Sequence, residues 1–211
     1  MYLSKDDIIN TNRIKRLNLI NSVSGVKSAN LIGTKSLQDQ TNLAIFSSVT
    51  HLGSNPALLG FVLRPDKEVR RHSYENIIST QFFTINSIDA SFIEKAHYTS
   101  VKFSADESEF EKCKLEAQYL NDFGAPYVKE SKLKMGLQLQ EIVDIKINSC
   151  KLIIGSIEHL HFDDQALEEN GQINLQKLNT VGIGGLNSYY ALDQIGQFPY
   201  ARKSDLPDFD S

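Results

Sequence analysis

The sequence predicts a mainly β protein, an antiparallel barrel or sandwich, and three observations carry that expectation. Extended segments broken by turn formers fill the first half, and a long run after residue 136 alternates apolar with polar residues. Nowhere does strand, helix, strand recur in the regular order that builds a doubly wound sheet.

Taken in order, Leu17 to Thr34, Thr41 to His51, Ala57 to Leu63 and Phe82 to Ile88 read as extended, with Gly25, Gly33, Asp39, Gly53, Asn55 and Pro56 as breaks. From Leu137 the residues Leu137, Leu139, Val143, Ile145 and Ile147 alternate with Gln138, Gln140, Asp144 and Lys146, the period of a strand with one wet face; Glu141 interrupts the apolar row. Lys151 to Phe162 is apolar on both sides at Leu152, Ile153 and Ile154 and is expected to pair with its predecessor across a turn near Asn148 and Ser149. Helical signals are fewer. Ser73 to Thr80 makes about two turns with Ser73 as the expected N-cap, and Ser104 or Asp106 opens a helix through Glu111 and onward toward Leu120. Val181-Gly182-Ile183-Gly184-Gly185 has close glycines but no helix pattern behind it, so it does not read as a dinucleotide fingerprint.

With 211 residues and 41% hydrophobic content, the chain suffices for one sizeable core, and a single domain over 1–211 is expected, with a loosely held tail over 201–211. A formal charge of -4 argues against a general nucleic-acid binder, which needs positive surface to replace counterions. Cys113 and Cys150 are too far apart in sequence for a C-x-x-C pair and read as free thiols. Met1 to Asn10 has no apolar targeting region and no run is long enough to span a bilayer, so the expectation is a soluble cytoplasmic protein with no membrane partner.

The informative stretch is Thr41 to Ile77. A strand ends in Ser47 and Ser48, a turn is forced at Gly53 to Pro56, a second strand returns to Arg64, and Arg70, Arg71 and His72 precede Ser73 at a helix start. Helix N-termini present unpaired N–H donors and partial positive charge, so these cations make an anion site there. The spacing fits equally well solvated arginines balancing Glu68 and Glu75. Phe46, Ser47, Ser48 and Val49 combine small residues and apolar flanks as a flat ring requires, and are also what an ordinary strand end looks like.

Ser47-Ser48-Val49, Pro56, Arg64, Arg71-His72-Ser73, Asn76-Ile77 and Phe83-Thr84-Ile85-Asn86 together resemble the pattern of the flavin reductase-like family, the FMN-binding split barrels. Ser108-Glu109-Phe110-Glu111, Leu115, Glu130-Ser131, Ile153-Ile154-Gly155-Ser156-Ile157 and Gly184-Gly185-Leu186-Asn187-Ser188-Tyr189-Tyr190 extend the resemblance, so that it runs from about Arg16 to Tyr190. It implies a Greek-key antiparallel six-stranded split β-barrel with a few short helices. It further implies a homodimer with FMN near the subunit interface and hydride transfer from NADH or NADPH to the flavin, with a partner oxygenase as recipient of the reduced flavin. The alternatives are a non-catalytic FMN-binding protein or electron carrier with another redox partner, or a barrel that binds a different anionic ligand. By the resemblance Phe46, Ser47, Ser48 and Val49 line the flavin, Arg64, Arg71, His72 and Ser73 approach its phosphate, and Asn86 lies where the next strand passes the cofactor. The family's usual Lys-Asp-Thr is Arg71-His72-Ser73 here, and its Asp-Pro-Pro turn is Asn55-Pro56-Ala57.

The five histidines give no metal set, since His159-x-His161 shares a strand face without a nearby Cys and Asp163 and Asp164 read as a turn. His97 reads as a hydrogen-bonded structural residue or as a residue facing the nicotinamide. Hydride transfer between two bound rings requires no catalytic acid or base, and none is assigned.

Overall fold

Alternation and turn chemistry turn the middle of the chain into one antiparallel sheet, seen here in a computed structural model that describes residues 1–65 and 70–209. Two helices, α1 (Lys5–Asn10) and α2 (Arg13–Ser22), lead into β1 (Lys27–Ser28), β2 (Asn30–Lys35), β3 (Thr41–Phe46), β4 (Thr50–Ser54) and β5 (Ala57–Leu63). Helix α3 (His72–Thr80), β6 (Phe82–Ser87), α4 (Ile93–Tyr98), α5 (Glu109–Lys112), β7 (Ala117–Gln118) and β8 (Tyr127–Val128) follow. The long strands β9 (Leu133–Ile145) and β10 (Cys150–Phe162) precede β11 (Val181–Gly184) and β12 (Ser188–Ala191). The main sheet has the order β3-β2-β6-β9-β10-β5-β4, the last being a short edge strand beside the six longer ones. β1-β11-β12 form a small second sheet and β7-β8 a pair.

The sheet curls until its two ends meet. Beyond β3, the Ser48 hydroxyl accepts from Val62 N at 3.1 Å and donates to Val62 O at 3.2 Å, and the Phe46 and Phe61 rings pack edge to face 4.9 Å apart. The enclosed space holds Ile32, Phe61, Ile77, Phe83, Ile85, Leu137 and Ile153, each fully buried. A second core, with Leu31, Leu43, Phe92, Phe110 and Val181, joins the outer face to α4, α5 and the small sheet. The exposed edge of β3 is blunted by Glu109, whose carboxylate accepts from Leu43 N at 2.8 Å. Burial raises the pKa of that carboxyl.

Most predicted elements are present, and the differences have physical causes. The extended reading of Leu17 to Thr34 fails over its first third, because Asn12 accepts from the amides of Ile14 and Lys15 and starts α2, so strand structure begins only at Lys27 and continues from Asn30. The helix expected onward to Leu120 ends at Lys112, since Lys114 turns to φ +56° and the chain moves into β7. The break at Glu141 is a β-bulge: Leu139 faces Gly155 but Glu141 faces Ile154, so the pleat changes parity, Ile142 packs on the core and Val143 turns to solvent. The close glycines of β11 lie in a strand paired on both sides, as expected of a segment that is no nucleotide loop. No helix among the described residues is long and apolar enough to cross a membrane.

Candidate functional site

The site is assembled where β3 ends, β5 ends and α3 starts. Two contacts link these ends, and a third ties α3 to the beginning of β3. Ser48 bonds Val62, two residues before Arg64; Arg71 donates from Nε to Pro65 O at 3.3 Å; and Asn42 of β3 donates from Nδ2 to the Ser73 hydroxyl at 2.8 Å. Ser48 is thereby held beside the end of β5 and Arg71 beside Pro65, while Ser73 meets β3 near its start, four residues before Phe46.

The start of α3 differs from those of α1 and α2 and shares the lack of a side-chain cap with α4 and α5. Ser4 and Asp7 make a reciprocal capping box on α1, and Asn12 caps α2. At α3 the cap position is Arg71, with no capping side-chain bond, and Ser73 is not the expected cap but the second helical residue, buried and bonded to Asn42. The amides of His72, Ser73 and Tyr74 have no acceptor among the described residues. The flanking cations divide. Arg70 is ion-paired to Glu75 at 2.7 Å on the surface, as the charge-balance reading requires. Glu68, its other suggested partner, lies outside the described residues. Arg64 and Arg71 meet no carboxylate among the described residues. Helix-start amides and guanidinium groups that meet no carboxylate among the described residues are the kind of donor set that suits a phosphate monoester.

At the other end of the arrangement, Ser47, Ser48 and Val49 are half-buried, yet their main-chain groups make no backbone hydrogen bond among the described residues. Partly buried peptide groups without partners are uncommon, and a ring with polar edge atoms satisfies them. Val49 and Phe46 pack on the barrel core from this same segment and supply apolar contact.

Asn86 is placed differently. It is 0% exposed, and its amide donates to Leu31 O and the Thr84 hydroxyl and accepts from Val128 N at 3.0 Å. That side chain is used up joining β2, β6 and β8 and presents no surface to a ligand. His97, on α4, lies 3.1 Å from the Tyr189 hydroxyl and packs on the Tyr98 and Tyr189 rings, a hydrogen-bonded structural setting. His159 and His161 pack on Phe123 and Tyr127. Both cysteines are free thiols. A cleft of about 560 Å³ between the β2–β3 turn, α3 and residues 105–107 includes only His72 of the candidates, and the Arg70–Glu75 pair lies within it.

The sequence assigns Asn42 no role and gives Glu109 only a place in the family pattern. A single amide inside the apolar run of β3 and a glutamate beside a fully buried Phe110 were the available signals.

Comparison with known proteins agrees with this architecture. A protein of Aquifex aeolicus with no stated activity is 27% identical over 161 residues, covering 75% of this chain and 80% of its own. Among solved structures, a split-barrel protein of Shewanella frigidimarina assigned to the flavin reductases is 47% identical, with TM-score 0.92 over 95% of this chain and 100% of that one. Nitrilotriacetate monooxygenase component B from Bacillus cereus shares the fold, with TM-score 0.82 at 19% identity over 94% of this chain and 98% of that one. Residues 26–179 match the model of the flavin reductase like domain, and the chain belongs to that family.

Proposed function

We propose that the protein is a flavin reductase that holds FMN at this site as a homodimer and passes hydride from NADH or NADPH to it. The uncapped start of α3 at Arg71, with Arg64 one residue before the Pro65 carbonyl that Arg71 meets, is the observation that carries the reading, because that donor set suits a phosphate monoester and no carboxylate among the described residues occupies it. Arg71 and the amides of His72 to Tyr74 hold the phosphate, with Arg64 as second cation. The free peptide groups of Ser47 to Val49 orient the polar edge of the ring, and Phe46 and Val49 supply apolar contact. When bound, FMN supplies a two-electron acceptor for the nicotinamide hydride. The protein's contribution is to bring two rings into contact and keep water from between them, which explains a site made of binding groups alone. Free reduced flavin is the form a partner oxygenase would consume.

Titrating the purified protein with FMN, then following NADH and NADPH absorbance with and without it, tests the reading. The expected outcome is saturable FMN binding and nucleotide oxidation that requires added FMN. Binding without oxidation identifies an electron carrier, and absence of FMN binding overturns the proposal.

A further inference from the structure

Both ends of the chain leave large apolar side chains in water. Helices α1 and α2 bury no residue, and Ile9, Ile14, Ile20 and Val23 are exposed on them and just beyond. Helices of six and ten residues fall short of the roughly 12–15 at which isolated helices become even marginal, so α1 and α2 need something to pack against. After β12 the tail exposes Phe198 by 89%, Tyr200 by 86% and Phe209 by 81%. Large rings this exposed in one segment mark a contact surface.

Charge and geometry name the partner. Over residues 5–28 the chain carries Lys5, Arg13, Lys15, Arg16 and Lys27 against Asp6 and Asp7, whereas the tail from Leu192 carries Asp193, Asp205, Asp208 and Asp210 against Arg202 and Lys203, so the two are of opposite net charge. A basic apolar surface and an acidic aromatic strap are complementary, and every copy carries both. Both leave the same small sheet, at opposite ends. Lys27 pairs with Ile183 opposite Tyr189, so the helices lie beyond the Gly184 and Ser188 end, while Ala191 pairs with Val181 and the tail departs from the other. A two-fold axis placed across this sheet would exchange its ends and set the tail exit of one copy beside the helix entry of the other. We infer that the tail over residues 192–209 of one copy straps across α1 and α2 of a second copy, each docking on the other. The inference rests on the homodimer of the proposed function and is independent of the flavin.

A photoreactive phenylalanine analogue placed at Phe198 in the full chain tests it. ¹⁴N and ¹⁵N chains are mixed in urea, refolded together and irradiated, and the linked peptides are weighed. Links from residue 198 to residues 5–22 that join light to heavy chains are expected. A chain ending at Leu192 and the pair Arg13→Glu with Arg16→Glu are each expected to dissociate at concentrations about tenfold higher or more in sedimentation runs. Links confined to one isotope, links outside residues 5–22, or unchanged dissociation in both variants overturn the inference. Flavin absorbance of the linked sample is read separately, so light-to-heavy links without bound FMN reject the function and leave the strap standing.

Discussion

At the scale of single residues, Arg70 and Arg71 are adjacent in sequence and opposite in circumstance. Arg70 is satisfied by Glu75 on open surface, where an ion pair contributes little, while Arg71 stands at the cap of α3 with its Nη groups free of carboxylates among the described residues. If Arg71 donates to a phosphate, Arg71→Ala weakens FMN binding by about 1.5–3 kcal/mol, the range for hydrogen bonds to charged groups. Arg70→Ala is expected to leave affinity within about 0.5 kcal/mol of the parent, as for a surface change away from the ligand. Fluorescence titration of FMN with the two variants checks both, and equal losses would show that neither guanidinium is singled out by the phosphate. Asn86 gives the converse lesson. Its amide joins β2, β6 and β8, and removing it strands Val128 N in the core.

At the scale of elements, the segment through Phe123, Ala125 and Tyr127 lies flat on the sheet because two strand glycines, Gly33 and Gly136, let it. A Cβ on Gly33 would fall 2.3 Å from Pro126 O and 2.6 Å from the Thr84 hydroxyl, which itself donates to Pro126 O at 2.6 Å. Gly33→Ala therefore lifts the segment or breaks that bond, and a loss of about 1–3 kcal/mol is expected, within the range for overpacking. Urea unfolding checks it, the midpoint moving with the slope unchanged. Elements with their own local signals were legible in the sequence: β5 and β6 between turn formers, and β9 and β10 by alternation and the turn at Asn148 and Ser149. The parity change at Glu141 was visible as a broken row, though only pairing with β10 shows that the extra residue is bulged. Helix α2 was not legible, because its apolar residues face no core of its own chain and give no clean stripe. At the site, the cationic cluster was legible, but the division between Arg70 and Arg71 was not, because it depends on how α3 turns relative to Pro65.

At the scale of the whole molecule, stability must vary with pH through groups buried away from the site. His161 lies against the Tyr127 ring, with His159 stacked beside it and Lys134 opposite, and its Nε2 is buried with no hydrogen-bond partner among the described residues. Burial first, then the charges of His159 and Lys134, hold its pKa below the ordinary 6.5. The folded protein thus keeps this imidazole neutral where the unfolded chain protonates it. Below pH 6.5 the unfolded state binds the extra proton, so stability falls with pH until the folded-state value is passed, and above 6.5 the group contributes nothing. Glu109 works in the other direction, since its raised pKa favours the fold below the ordinary 4.5 and that advantage disappears as pH rises through the folded value. Acidification from neutrality therefore combines a gain at Glu109 with a loss at His161, and a single stability profile cannot separate them. His161→Phe keeps an aromatic ring against Tyr127 and removes the titration. The difference between parent and variant in urea unfolding, followed from about pH 7.5 to 4.5, isolates the histidine. The parent is expected to lose stability relative to His161→Phe as pH drops through about 6.5, and parallel profiles would place the responsible proton elsewhere.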